Sequence, residues 1–263
     1  MKKTKFRHFI IYIYSILMLT TLGCMALALA NHTVATKTPT AISTTVPMPF
    51  ELTVDQVPVK VTHGSVVSDL GKGKAQDIFP NDMIDVGDGG HSRLVYSDKF
   101  TVEIMQGAEL VLGDTTTQTG SRTEATLSLN KGHLRVAIGE NAKADLILNT
   151  QDSQVTTQAD SPAYSICYKP GSTGLTCVLV EKGSIEVRDK TTGKTQIYPP
   201  LTAGYTFNRK APQPPVCLHA DEYINWLSKM RAGKTVETLG TMVGRWITEP
   251  CTGGASGATY PTP

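Results

Sequence analysis

Between Gly64 and Gly113 the chain alternates apolar and polar residues in short runs broken by Gly and Asp turns. Phe100, Val102 and Ile104 fall on one face after the turn Ser97-Asp98-Lys99, and Leu110 and Leu112 repeat the spacing. A period of two marks half-buried strands, so the pattern predicts a β-meander and not a helix. The alternation continues through Leu127 and Leu129, crosses Asn130-Lys131-Gly132, and resumes at Leu134, Val136 and Ile138. Leu146, Leu148 and Val155 follow. Later, Val178 and Val180 precede Glu181-Lys182-Gly183, with Ile185 and Val187 beyond. The phrases LSLNKGHLRV and VLVEKGSIEV are alike. Both predict a hairpin, with Gly at the positive-φ position between two alternating strands. Their offset occurs once, so no repeat period follows. The polar stretch Asp114–Glu124 has no apolar anchor and predicts a loop.

After Tyr205-Thr206-Phe207, the Pro-rich run Ala211–Pro215 ends the β pattern, and the period changes. Tyr223, Ile224, Trp226, Leu227 and Met230 share one helical face, opened by Asp221 and closed near Gly233. Val236, Leu239, Val243, Trp246 and Ile247 outline a second helix before Pro250, interrupted by Gly240 and Gly244. The fold class expected is mainly β, a twisted meander or sandwich with a short C-terminal helical pair. Residues 51–210 form the β domain, 216–249 the helical hairpin and 250–263 a flexible tail.

The N-terminus has another character. Met1–His8 is basic, and Phe9–Ala30 is an uncharged apolar run, the order of an export signal. Ala28-Leu29-Ala30 suits cleavage before Asn31. The run of about 22 residues exceeds the usual signal core of about 7–15 and is long enough to span a bilayer as a retained anchor. Lipidation of Cys24, within Leu22-Gly23-Cys24, is a third reading, although Thr21 stands where that motif prefers Leu. All three place the remainder outside the cytoplasm: on the outer face of the membrane if anchored, periplasmic or extracellular if cleaved. The membrane is thus an expected partner through this segment. Residues 31–50 are rich in Thr and Pro and read as a linker.

The 263 residues are 40% hydrophobic and 18% charged, a globular composition. The net charge of +2 is exceeded by Lys2, Lys3, Lys5 and Arg7 alone, so the rest of the chain is close to neutral. Nothing in it points to nucleic acid. Besides Cys24 there are Cys167, Cys177, Cys217 and Cys251. An even number in an oxidising compartment reads as two disulfides with three connectivities, against four unpaired thiols. The turn Lys169–Gly174 puts Cys167 and Cys177 opposite each other on antiparallel strands, which leaves Cys217 for Cys251.

No catalytic, metal or cofactor residue is expected. Asp82, Asp85 and Asp88 beside Gly89-Gly90 resemble an oxygen-rich calcium loop, but the ligand spacing is missing and turn chemistry explains them better. His63, His91, His133 and His219 lack ligand spacing and read as solvated loop histidines. Gly71-Lys72-Gly73-Lys74 is not a phosphate loop, and no nucleophile elbow occurs. Trp226 and Trp246 read as helix core in preference to a sugar platform. The stretch Asp114–Glu124 is the candidate contact region, with Thr115, Thr116, Thr117, Gln118 and Arg122 as ligand-contact candidates, since loops on a rigid sheet carry recognition.

Together several phrases resemble the FecR domain. Gly64-Ser65-Val66, Asp82-Met83-Ile84-Asp85-Val86-Gly87 and Ser92-Arg93-Leu94-Val95-Tyr96-Ser97-Asp98 match its early pattern. Gly132-His133-Leu134-Arg135-Val136 and Gly183-Ser184-Ile185-Glu186-Val187 are similar to its later turns, and Pro199–Thr206 to its closing segment. The resemblance spans roughly residues 60–208. Asn81, Val86 and Lys99 depart from the family at turn positions. The resemblance implies a non-enzymatic, extracytoplasmic sensing or recognition module of the bacterial cell envelope, binding a protein or other envelope ligand. The best-known members relay a signal from an outer-membrane transporter to a sigma factor. Here only Met1–His8 precedes the apolar run, so the expectation is a sensing half without the cytoplasmic anti-sigma segment. The alternative is a structural or adhesive envelope protein that binds surface glycan.

Overall fold

The alternating runs become strands, and the strands stack into two layers. The computed structural model describes residues 49–247, apart from 98, 118–122, 141, 143, 159–161, 172–173 and 209. The chain divides into two units, Met1–Ile42 and Ser43–Pro263. The first lies outside the described residues, and with it the expected export signal, Ala28, Ala30 and Asn31. Most of the linker, Cys251 and the tail lie outside them too. No described helix is long and apolar enough to cross a membrane.

In chain order the strands are β1 (Phe50–Gln56), β2 (Val59–His63), β3 (Val66–Leu70), β4 (Ala75–Ile78), β5 (Met83–Val86) and β6 (His91–Tyr96). Then come β7 (Phe100–Met105), β8 (Glu109–Thr117), β9 (Thr123–Ile138), β10 (Ala144–Asn149), β11 (Ser153–Thr157) and β12 (Ala163–Lys169). The last are β13 (Leu175–Lys182), β14 (Ile185–Asp189), β15 (Thr195–Tyr198), β16 (Thr202–Phe207) and β17 (Val216–Cys217), followed by helices α1 (Ala220–Arg231) and α2 (Leu239–Trp246).

One sheet runs β4-β1-β6-β7-β9-β12-β13-β16-β17, antiparallel throughout. The other runs β3-β2-β5-β8-β9-β10-β11-β14-β15, antiparallel except for β9 with β10. Their inner faces meet in one buried cluster, with Leu52, Leu94, Val102, Val136, Ile166 and Val178 from the first sheet. Val61, Ile84, Leu110, Leu127, Leu146, Val155 and Val187 come from the second. Each such side chain contributes roughly 1.5–3 kcal/mol on burial, so this double layer is the main source of stability.

Strand β9 belongs to both sheets, which corrects the hairpin expected at Asn130-Lys131-Gly132. Its first half pairs with β8 and β10, its second half with β7 and β12. Leu127 and Leu129 point into the core at odd positions, while Leu134, Val136 and Ile138 do so at even ones. Asn130–His133 absorbs this change of phase. Gly132 has φ 94°, and a Cβ there would stand 2.4 Å from the Ala108 Cα. Only glycine permits both the backbone and the close approach. The second hairpin, at Glu181-Lys182-Gly183, is corrected likewise. β13 pairs with β12 and β16, whereas β14 pairs with β11 and β15, so the chain passes between sheets. The shared phrase marks corners between layers.

The described part of the loop expected over Asp114–Glu124, residues 114–117 and 123–124, is strand. Thr115, Thr116 and Thr117 pair with Ala125, Glu124 and Thr123, after a register shift beyond Leu112. Threonine favours extended backbone, and ladder hydrogen bonds replace the missing apolar anchor.

Both helices lie on the outer face of the first sheet. Tyr223, Trp226, Leu227, Met230, Leu239, Met242, Val243 and Trp246 form a second buried cluster with Met105, Leu179, Ala203 and the cystine. Both tryptophans are core. Gly240 lets α2 approach, since a Cβ there would lie 2.6 Å from Leu175 Cδ2. Thr238 caps α2, its hydroxyl accepting from the Thr241 N–H at 3.2 Å. Asp221 and Glu222 begin α1 and Lys229 and Arg231 end it, each sign matching the helix dipole.

Candidate functional site

Because β9 changes sheets, it parts from its parallel neighbour β10. At that fork a cleft of about 430 Å³ opens, lined by Ser128, Leu129, Asn130, Asn149, Thr150, Gln151, Tyr168 and Lys190. Ser128 and Asn149 are the last register pair before the strands diverge. The Tyr168 hydroxyl, with one proton to share, lies 3.1 Å from both Gln151 Oε1 and Asp152 Oδ2, which fixes the floor. Lys190 Nζ donates to the Thr150 carbonyl at 2.6 Å. Burial pushes the Lys190 pKa down, opposed by the charge of Asp152. The lining combines the apolar carbon of Leu129 and of the side-chain stems with amide and hydroxyl groups and one ammonium, and the latter can hydrogen-bond oxygen-rich groups.

A second feature lies beneath α1. Arg135 on β9 donates from Nε to Glu181 Oε1 at 2.9 Å and from Nη2 to Oε2 at 2.8 Å, and its Nη1 reaches Glu103 Oε1 at 2.8 Å. Arg231, in the last turn of α1, donates from Nε to Glu103 Oε2 at 2.6 Å. Tyr223 donates to Glu181 Oε1 at 2.6 Å and lies 2.7 Å from Ser165 Oγ. His91 stands between Asp55 (3.1 Å) and Glu103 (3.5 Å), and Arg93 grips Asp55 with two bonds. Burial disfavours the charge on Glu103. His91, Arg231 and Arg135 outweigh it, and the carboxyl is held below the usual range. Burial and the neighbouring Glu181 carboxylate raise the Tyr223 pKa well above that of free tyrosine. The network fastens the helical pair to the sheet.

The structure pairs Cys167 with Cys177 across β12 and β13, with Cα atoms 5.0 Å apart. Cys217 is disulfide-bonded as well.

Thr115, Thr116 and Thr117 have strand backbone in β8, while Gln118 and Arg122 fall outside the described residues. The cleft lies at the opposite end of the β9–β10 ladder from the residues that pair with Thr115, Thr116 and Thr117. Asp82 is buried and accepts from His63 and from the Phe79 N–H, so it braces a turn. Of the histidines read as solvated, His91 is buried in β6. His133 lies in β9 against Trp226, its Nε2 accepting from the Leu239 N–H at 3.3 Å. His219 stacks on Trp246. Neighbouring layers cover positions that look like turns in the sequence. The sequence does not single out Glu103, Arg135 and Glu181, for a related reason. Glu103 and Arg135 occupy the polar phase of an alternating strand, where solvent would be the default neighbour, and Glu181 stands in a phrase that reads as a turn.

No family model matches the chain, and no curated protein matches it. Two crystal structures of a putative anti-sigma factor from Parabacteroides distasonis, at 2.50 and 1.65 Å resolution, are similar to it. Identity is 17% in both, over 55% of this chain and 63% and 64% of those chains, with TM-scores of 0.44 and 0.43. The chain thus spans slightly under two thirds of the length of those proteins.

Proposed function

We infer that the chain is a non-enzymatic recognition module of the cell envelope, a sensing part of the FecR type that binds a protein or other envelope ligand. The observation that carries this reading is the cleft at the β9–β10 fork, with amide and hydroxyl groups in its wall, set in a double sheet that the ligand need not reshape. Preformed, hydrogen-bonding concavities on a rigid frame are what recognition uses. The Cys167–Cys177 bond supports an oxidising compartment. A glycan-binding, adhesive role is favoured by one feature, the amide and hydroxyl lining of Ser128, Asn130, Asn149, Thr150 and Gln151. The test is capture by the exported part of the chain, from Asn31 onward, of a defined envelope protein against cell-wall glycan fragments. Asn149→Ala and Lys190→Glu are run in parallel. Loss of capture in these variants supports the cleft, and unchanged capture removes it from the site. Turnover of either probe would defeat the non-enzymatic reading.

A further inference from the structure

Exposed branched side chains mark both open edges of the second sheet. Val66 and Val67 on β3 are 61% and 60% exposed, and Ile197 on β15 is 52% exposed. No described strand pairs with the outer edge of either. Such edges are ordinarily blunted by charge, proline or cover. Here β3 carries one charge, Asp69, within the strand and β15 none.

The two edges are complementary. From β3 to β15 every step is antiparallel except β9 to β10. That single parallel step leaves β3 and β15 running in opposite directions. A copy shifted sideways along the sheet therefore brings its β15 against β3 in antiparallel orientation, the more stable pairing. The faces match too. Val67 shares a row with Thr62, Met83, Val111 and Ser128 on the outer face. Ile197 shares one with Glu186, Thr156 and Ile147 on the same face. The two-residue turn at Gly64 and Ser65 sets His63 opposite Val66, so the alternation turns the main-chain groups of Val67 toward the open edge. On β15 the Ile197 carbonyl accepts from the Gln196 side chain at 2.9 Å, a local substitute for a strand partner. With Val67 opposite Ile197, Ser68 meets Gln196 and Asp69 meets Thr195 beside Lys194. Self-pairing of β3 about Ser68 would instead set Val67 against Asp69.

We propose that copies of this chain join head to tail, β3 of one to β15 of the next, so that the second sheet continues from molecule to molecule. Main-chain hydrogen bonds supply the attachment, and the Val67–Ile197 contact sets its register. The contact uses two different surfaces, so a joined pair still presents one free edge of each kind, and assembly continues past the dimer.

The test is sedimentation velocity of the full chain in mild non-ionic detergent over a hundredfold concentration range. The expected result is a mass that grows past the dimer with concentration. Val67→Lys and Ile197→Lys each abolish growth, whereas Val67→Thr, which keeps the branched shape, retains it. An equimolar mixture of the two lysine variants gives dimers and nothing larger, because each still holds one good edge; that result also shows both to be folded. A wild-type chain that stays monomeric overturns the proposal. So does a lysine variant that assembles like wild type, or a mixture that remains monomeric.

Discussion

Arg135 holds both oxygens of Glu181 in a buried two-bond pair, at 2.9 and 2.8 Å, on the sheet face that α1 covers. Removing the cation leaves Glu181 and Glu103 buried without their shared partner. Arg135→Ala is expected to cost about 3–5 kcal/mol, read as a lowered midpoint of urea unfolding. The double variant Arg135→Met with Glu181→Met, which removes both charges, loses less. A single variant within about 0.5 kcal/mol of wild type would mean that the pair is not buried in solution.

His133 predicts an acid response of the helical pair. Burial pushes its pKa down from 6.5 to about 4, and the neutral ring accepts the Leu239 N–H. The unfolded chain takes up this proton at the higher pH, so stability present above 6.5 is lost as pH falls toward about 4. The full shift corresponds to roughly 3 kcal/mol. Thermal melts followed by tryptophan fluorescence, from Trp226 and Trp246 in the helical cluster, should show this slope, and His133→Asn should flatten it. Glu103 adds a second loss at lower pH. Its carboxyl is held below the ordinary 4.5, so its contribution is complete above that value and disappears as pH falls through the lower folded pKa. A variant with the wild-type slope would remove His133 from the effect.

The Cys167–Cys177 bond predicts a loss of stability when it is removed. Cys167 and Cys177 are 10 residues apart, and closing so short a loop contributes about 3 kcal/mol on the chain-entropy account. The double variant Cys167→Ala with Cys177→Ala, which leaves the bond at Cys217 in place, should lower the melting temperature by that equivalent and loosen the face on which α2 rests. Peptide mapping without reductant is expected to recover Cys167 with Cys177 and Cys217 with Cys251. Recovery of Cys167 with Cys217 would contradict the structure.

Gly132 predicts intolerance at the corner of β9. Gly132→Ala forces a side chain onto Ala108 at positive φ and is expected to destabilise by about 2 kcal/mol or more. Gly193, also at positive φ but with open space around it, should tolerate alanine better. Equal losses at the two positions would show that backbone strain alone matters, and that the contact with Ala108 does not.

Export predicts dependence on the basic N-terminus. Changing Lys2, Lys3, Lys5 and Arg7 to Glu should block translocation, seen as loss of protease accessibility in intact cells. N-terminal sequencing of the native protein separates the readings. Asn31 as the first residue means cleavage, and an intact Met1 or Lys2 means a retained anchor.

Strand identity was written locally. Phe100, Val102 and Ile104, or Leu146 and Leu148, alternate because a pleated chain shows its faces in turn, and that holds whatever the strand packs against. Helix α1 was legible for the same reason, through Tyr223, Trp226, Leu227 and Met230 at helical spacing. Tertiary structure decided which strands were neighbours. Gly132 and Gly183 sit in phrases that suit a tight turn equally well as a corner, and only the partners of β9, β13 and β14 distinguish the two. The cleft exists because β9 leaves β10, a divergence between strands that no local pattern encodes. Glu103, Arg135 and Glu181 are buried because α1 returns from far along the chain to cover them. A sequence records which way a side chain points along its own strand. What waits on that side is set by contacts between residues remote in the chain, and the fold alone supplies them.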